Sequence, residues 1–174
     1  MNFMRSNFFL LKILLFSFTT LLLSACYSFK GISIAPGTKT YSVQLFKNNA
    51  LAAPPTLAQD FTEKLKDKIR NNTSLILNNG DNADLQFEGQ ITGFEVLSQT
   101  SQQNVSNLQN QLRITFNVEL TDTKNEKNSW KQSFSFQGDF PGNSDLLIYQ
   151  ANLIKTITNK VLDDIFNKAF TENW

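Results

Sequence analysis

Apolar and polar positions alternate over several stretches of the chain, and over two others the apolar positions recur at helical spacing. Across residues 40–46, Tyr41, Val43 and Leu45 alternate with polar neighbours, the period of a strand with one buried face. Asn48 and Asn49 are expected to close it. Pro54 and Pro55 precede Thr56-Leu57-Ala58-Gln59, a spacing in which the Thr hydroxyl and the Gln side chain can each satisfy an orphan backbone donor, so a helix is predicted from Thr56. Its apolar positions Leu57, Phe61, Leu65 and Ile69 fall four apart. Acidic Asp60 and Glu63 come early and Lys64, Lys66, Lys68 and Arg70 late, as the helix dipole favours. Asn71 and Asn72 should stop it.

A short strand is expected over residues 74–77, followed by a turn at Asn78-Asn79-Gly80-Asp81. Leu85, Phe87, Gly89 and Ile91 then share one strand face, after which the phase moves to Phe94 and Val96, which predicts a bulge at Gly93. Residues 98–110 are polar and read as a loop or an extension of the hairpin. The next alternation is the cleanest, with Leu112, Ile114, Phe116, Val118 and Leu120 inward and Arg113, Thr115, Asn117, Glu119 and Thr121 outward. A turn over residues 122–128 leads to Trp130, Gln132, Phe134 and Phe136 alternating with Lys131, Ser133, Ser135 and Gln137, and residues 139–143, with Pro141 and Gly142, should end that strand. From Ser144 onward a broad apolar stripe from Leu146 to Phe170 predicts a long helix. The order is that of an α+β two-layer sandwich: a mostly antiparallel four-stranded sheet with two helices packed on one face.

The first 25 residues do not fit that domain. Arg5 and Lys12, with no acidic residue, precede the apolar run Ile13 to Leu23, which is too short to span a bilayer and has the form of an export signal. Leu23-Ser24-Ala25-Cys26 follows and resembles the bacterial lipobox, in which small residues admit the peptidase and the Cys thiol takes the lipid. Residues 1–25 are thus expected to be a lipoprotein signal peptide, 26–39 a lipidated tether and 40–174 the domain. Several acyl chains on Cys26 would hold the protein to a membrane firmly, where one would be marginal. Tyr27, Ser28, Phe29 and Lys30 carry no acidic sorting signal, which by likeness to bacterial lipoproteins favours the outer membrane with the domain facing the periplasm.

Composition narrows the chemistry. The 174 residues include no His and a single Cys, which removes Ser-His and Cys-His nucleophile pairs, the commonest metal ligands, and any intramolecular disulfide. A formal net charge of +1 leaves no electrostatic footprint for nucleic acid. Asp163-Asp164 diverge around a helix and Asp81/Asp84 frame a turn, so neither pair reads as a general acid and base. No enzyme activity, metal or cofactor is expected. Trp130, Phe134 and Phe136 read as core rather than as a ligand groove.

Taken together, the lipobox, Tyr41-Ser42-Val43-Gln44-Leu45-Phe46, Pro55-Thr56-Leu57, Ala83-Asp84-Leu85-Gln86-Phe87-Glu88-Gly89 with Ile91-Thr92-Gly93, and Asp164-Ile165-Phe166-Asn167-Lys168-Ala169-Phe170 before Trp174 resemble the LptE family of lipopolysaccharide-assembly lipoproteins, in its Bacteroidetes-type form. The resemblance implies a non-catalytic plug and folding scaffold for an LptD-type outer-membrane β-barrel, with an affinity of its own for lipopolysaccharide. By their charge and an expected clustering toward one end of neighbouring strands, Arg113, Lys124, Lys127 and Lys131 are the candidates for the lipid A phosphates. Asp122 and Glu126 among them leave open that these are turn-solvating lysines. The alternatives in function are a free-standing periplasmic lipid- or glycan-binding lipoprotein and a surface-exposed adhesin.

Overall fold

The computed structural model describes residues 31–80, 82–99 and 109–171. The described residues from Ile32 onward cluster as one compact unit. The lipobox Leu23, Ser24, Ala25 and Cys26, most of the polar stretch at 98–110 and Asp81 lie outside the described residues.

In chain order the unit holds β1 (Thr40–Val43), β2 (Lys47–Asn48), α1 (Leu57–Asn72), β3 (Ile76–Leu77), β4 (Leu85–Gln99), β5 (Gln109–Asp122), a 3-10 turn (Glu126–Asn128), β6 (Trp130–Pro141) and α2 (Leu146–Phe170). The strands form one six-stranded sheet in the order β3-β1-β4-β5-β6, with β2 also on β4. The α+β class is as expected, whereas the sheet is larger than four strands and mixed. The long β4-β5-β6 meander is antiparallel, but β1 pairs parallel with both β3 and β4, and β2 parallel with β4. The cause is α1: a helix between β1 and β3 returns the chain to the end where β1 began, which permits only a parallel partner.

One face of the sheet carries the core. Phe61 of α1 stacks on Phe116 of β5 with ring centroids 4.2 Å apart and meets Phe46 at 4.8 Å. On α2, Phe166 and Phe170 pack together, and Phe170 meets Phe87 of β4. Phe134 is buried in the same cluster and Trp130 and Phe136 pack against it, which bears out their reading as core. Gly138 lets α2 approach β6 closely, for a Cβ there would stand 2.7 Å from Leu153 Cδ2.

Local departures from the expectations have local causes. The first strand does not run through residue 46: Leu45 turns outward and Phe46 inward, because the Phe46 N–H donates to Thr62 Oγ1 at 3.0 Å and its ring fills the space above Gly89. Thr62 Oγ1 in turn donates to Ala58 O at 2.7 Å, so one hydroxyl joins the break to α1. The capping box does not form. Thr56 is already helical in conformation and its side chain makes no cap bond, because the Leu57 N–H donates to Pro54 O and the chain has turned before the helix begins. Asn71 and Asn72 lie inside the last turn, and Thr73 ends it by returning both its N–H and its hydroxyl to Ile69 O. The bulge falls where expected, with the register shifting between Ile91 and Gly93. β6 continues through Asp139 to Pro141, beyond its expected end. Ser98 and Gln99 still pair with Asn110 and Gln109, so the polar stretch extends the hairpin at both ends. Of the expected tether, Ser33 donates its N–H to Phe170 O at 2.9 Å and Ile34 packs on the core.

Candidate functional site

Both helices lie on one face, and among the described residues no element covers the other face of the sheet, which is bare in that sense. Strand periodicity puts Glu88, Gln90 and Glu95 of β4, Arg113, Thr115, Asn117 and Glu119 of β5, and Lys131, Ser133, Ser135, Gln137 and Asp139 of β6 on it. Cross-strand pairs knit this surface. Thr115 and Ser135 hydroxyls lie 3.1 Å apart, Gln111 donates to Asp139 at 2.8 Å, and the Arg113 guanidinium donates to Gln137 Oε1 at 2.9 Å.

Where β1 stops at Val43 and β2 resumes at Lys47, the bare face is indented by a cavity of about 250 Å³. Its walls include Gln44, Lys47, Glu88, Asn117 and Glu119, with exposed Leu45 at the break and Lys131 opposite. Lys131 donates to Glu119 Oε2 at 2.6 Å, and that bond, with the charges of Glu119 and Glu88, holds its ammonium above the usual lysine range. Amides, carboxylates and ammonium groups beside one apolar side chain can hold a hydroxylated or amide-bearing partner by hydrogen bonds. The walls contain no nucleophile set against a base. The two adjacent apolar residues at 45 and 46 were the signal for this indentation, since they break the alternation there.

The four candidate cations do not converge. Arg113 and Lys131 share the bare face, but Lys131 is opposite Glu119 and therefore about 20 Å along β5 from Arg113. Lys124 is engaged elsewhere: its ammonium pairs with Asp84 at 2.9 Å and also reaches Gly37 O. Asp84 is the centre of a clamp, accepting the N–H groups of Lys39 at 2.7 Å and Thr40 at 2.9 Å while its own N–H donates to Thr40 Oγ1. The Lys39 amide, then Lys124, hold its carboxyl well below the usual range. Lys127 is exposed in the 3-10 turn, which Asp122 organises by accepting the N–H groups of Lys124 and Asn125 and the Asn128 amide.

The paired carboxylates weighed for catalysis are all in ion pairs where described: Asp163 with Lys68, Asp164 with Lys160 at 3.4 Å, and Asp84 as above. Among the described residues no group of acidic or Cys side chains is placed to hold a metal, and no helix is long and apolar enough to cross a membrane.

Fold and surface together define a two-layer α+β module with one helix-covered face and one hydrogen-bonding face. Residues 38–169 match the family LptE, described as lipopolysaccharide-assembly, and the chain belongs to that family. Membership places it among lipoproteins of the cell envelope in a family that is not enzymatic. No curated protein matches the sequence. Among solved structures it is similar to a minor lipoprotein from Acinetobacter baumannii, with 15% identity and a TM-score of 0.49 over 75% of this chain and 91% of that one. It is also similar to lipoprotein B from Nitrosomonas europaea, with 13% identity and a TM-score of 0.46 over 78% and 88%.

Proposed function

We propose that the protein is an outer-membrane lipoprotein, anchored through an acylated Cys26 and facing the periplasm, that plugs and scaffolds an LptD-type β-barrel during lipopolysaccharide transport. The observation that carries this reading is the bare face of the β4-β5-β6 platform, lined by hydroxyl, amide and charged side chains. The lumen of a large barrel is polar and hydrated, and a plug must meet it with groups that bond both to the wall and to intervening water. Family membership supports the same process. Lipopolysaccharide meets this face through its hydroxyl and phosphate groups, with Arg113 and Lys131 as phosphate contacts and Lys127 at the turn. Lys124 serves the Asp84 clamp.

The test is affinity purification of the tagged, lipidated chain from detergent-solubilised outer membranes. A large β-barrel recovered in equimolar amount supports the reading; recovery of the chain alone overturns it. Cys26→Ser leaves an unlipidated precursor, and mature-sized protein still partitioning with membranes after that change refutes the anchor. Digestion of the domain by protease on unbroken cells refutes the periplasmic orientation.

A further inference from the structure

The interruption between β1 and β2 opens a site on the bare face whose geometry is set by strand register. Glu88 faces Glu119 across the β4–β5 ladder, and two residues further along Gln90 faces Asn117. Their Cα atoms therefore mark a rectangle of about 5 Å by 7 Å, with all four side chains rising from the same face. Gln44 and Leu45 stand on its β1 side, and all six residues line the cavity of about 250 Å³. That is the volume of about eight liquid water molecules, room for one six-membered sugar ring with its hydroxyls.

The hydrogen-bonding capacity of these walls is unspent. Among the described residues the side chains of Gln44, Glu88 and Asn117 hydrogen-bond to no protein group. Gln90 uses only its carbonyl oxygen, which accepts from Asn49 at 2.7 Å, so its NH₂ group is also open. The Gln44 and Asn117 amides each offer a donor and an acceptor, and Glu88 offers two acceptor oxygens. That set matches hydroxyl groups, which donate and accept at one atom. The charges argue against an ion as the occupant: Glu119 is taken by Lys131, and the other two charged groups of the walls, Lys47 and Glu88, are one of each sign. An acyl chain would meet polar groups on most sides. Leu45, 67% exposed, gives the cavity its one exposed aliphatic wall, against which the C–H face of a sugar ring can lie. Its outward turn follows from the Phe46 N–H bond to Thr62, so this wall is built into the fold.

We propose that this cavity binds one uncharged sugar ring of a glycan, with Gln44, Glu88, Gln90 and Asn117 bonding to its hydroxyls and Leu45 covering its C–H face. The inference deepens the lipopolysaccharide reading and rests on it for the source of the ring, which is then a neutral sugar of the core oligosaccharide. Lys131, at the rim, keeps its phosphate contact.

The test uses the full-length lipidated chain in detergent micelles and two probes: intact lipopolysaccharide, and its core oligosaccharide freed of lipid A by mild acid and of phosphate by hydrofluoric acid. Saturation-transfer NMR is expected to show the oligosaccharide bound, with the ring protons of one sugar receiving most of the magnetisation. Gln44→Ala and Asn117→Ala should each weaken binding about tenfold, the loss of one well-made hydrogen bond, and Leu45→Ser should act in the same direction. Ser135→Ala, on the bare face but outside the cavity, should leave it unchanged, and circular dichroism checks that each variant is folded. Capture of intact lipopolysaccharide with no binding of the oligosaccharide would overturn this inference and leave the lipopolysaccharide reading standing. Equal oligosaccharide binding by wild type and by the Gln44→Ala, Asn117→Ala double variant would do the same. Failure of the wild-type chain to bind either probe would overturn the two together.

Discussion

Asp84→Asn removes one charge from the clamp that ties the entry of β1 to the start of β4 and to the β5–β6 turn. The carboxylate accepts two backbone N–H groups through Oδ2 and the Lys124 ammonium through Oδ1, with the side chain 15% exposed. The amide keeps one acceptor, which suits the two N–H groups as neutral bonds, and it turns a donor toward Lys124. Hydrogen bonds to a charged group contribute about 1.5–3 kcal/mol each and neutral ones about 1 kcal/mol. Losing the ammonium bond and weakening the others gives an expected loss of about 2 kcal/mol at pH 7. The pH dependence follows from the direction of the shift. Because the folded carboxyl is held below its unfolded value of about 3.9, its stabilisation is fully present above that value and is lost as pH falls below it toward the folded pKa. Urea denaturation followed by circular dichroism should therefore show wild type and variant separated by about 2 kcal/mol at pH 7 and converging below about pH 4. A separation that is the same at pH 3 as at pH 7 would refute the clamp as described.

Gly89→Ala should cost about 3 kcal/mol in the same assay, since a Cβ would stand 2.6 Å from Phe46 Cε1 and also press on the Asn117 carbonyl oxygen; a cost under about 1 kcal/mol would mean that Phe46 can move aside. Thr62→Val and Thr158→Val form a matched pair of buried, nearly isosteric changes. The first leaves the Phe46 N–H without its acceptor and should destabilise by about 1–3 kcal/mol, whereas the second removes a buried hydroxyl that has no partner among the described residues and should be neutral or stabilising by thermal melt. Lys124→Ala should lower stability while leaving lipopolysaccharide capture per folded molecule unchanged, and Arg113→Ala with Lys131→Ala should do the reverse in a pull-down on immobilised lipopolysaccharide. Weaker capture by folded Lys124→Ala than by the double variant would move the ligand site to the turn.

Where one face of an element is dry and the other wet, the sequence declared it. The β5 alternation, the fourfold spacing in α1 and the stripe of α2 are each the direct consequence of a two-layer core, and even the bulge showed as a change of phase at Gly93. The two-residue strand β2 did not show, because it is too short to display a period and is held by pairing with β4 rather than by any local preference, whereas β3 falls within the short strand expected over residues 74–77. The parallel edge was equally silent, since parallel pairing depends on where the helix between β1 and β3 returns the chain. At residues 44–46 alternation promised Leu45 to the core, and a hydrogen bond from Phe46 to Thr62, 16 residues away, reversed the assignment. The candidate cations fared as surface charges do. Their types were legible, but their partners, Asp84 for Lys124 and Glu119 for Lys131, depend on strand order and register.

The same geometry explains why cover over the sheet is uneven. At 1.5 Å per residue, the 16 residues of α1 reach about 24 Å and the 25 residues of α2 about 37 Å. The two helices run side by side at their C-terminal ends, where Lys68 pairs with Asp163 and lies over the Phe166 ring, so the excess length of α2 lies at its N-terminal end. There α2 reaches β6, with Phe140 stacked on Tyr149, while α1 has not yet begun. Val96, on the inner face of β4 beyond the bulge, is accordingly 47% exposed, whereas Ile91 before it is fully buried. Stability drawn from apolar burial therefore falls along β4 from Ile91 outward while the ladder to β5 continues. Beyond the pair of Val96 with Leu112 the hairpin is held mainly by backbone bonds and cross-strand pairs, which makes its tip, rather than the stretch carrying Phe94 and Ile114, the part of the platform best able to adjust its twist.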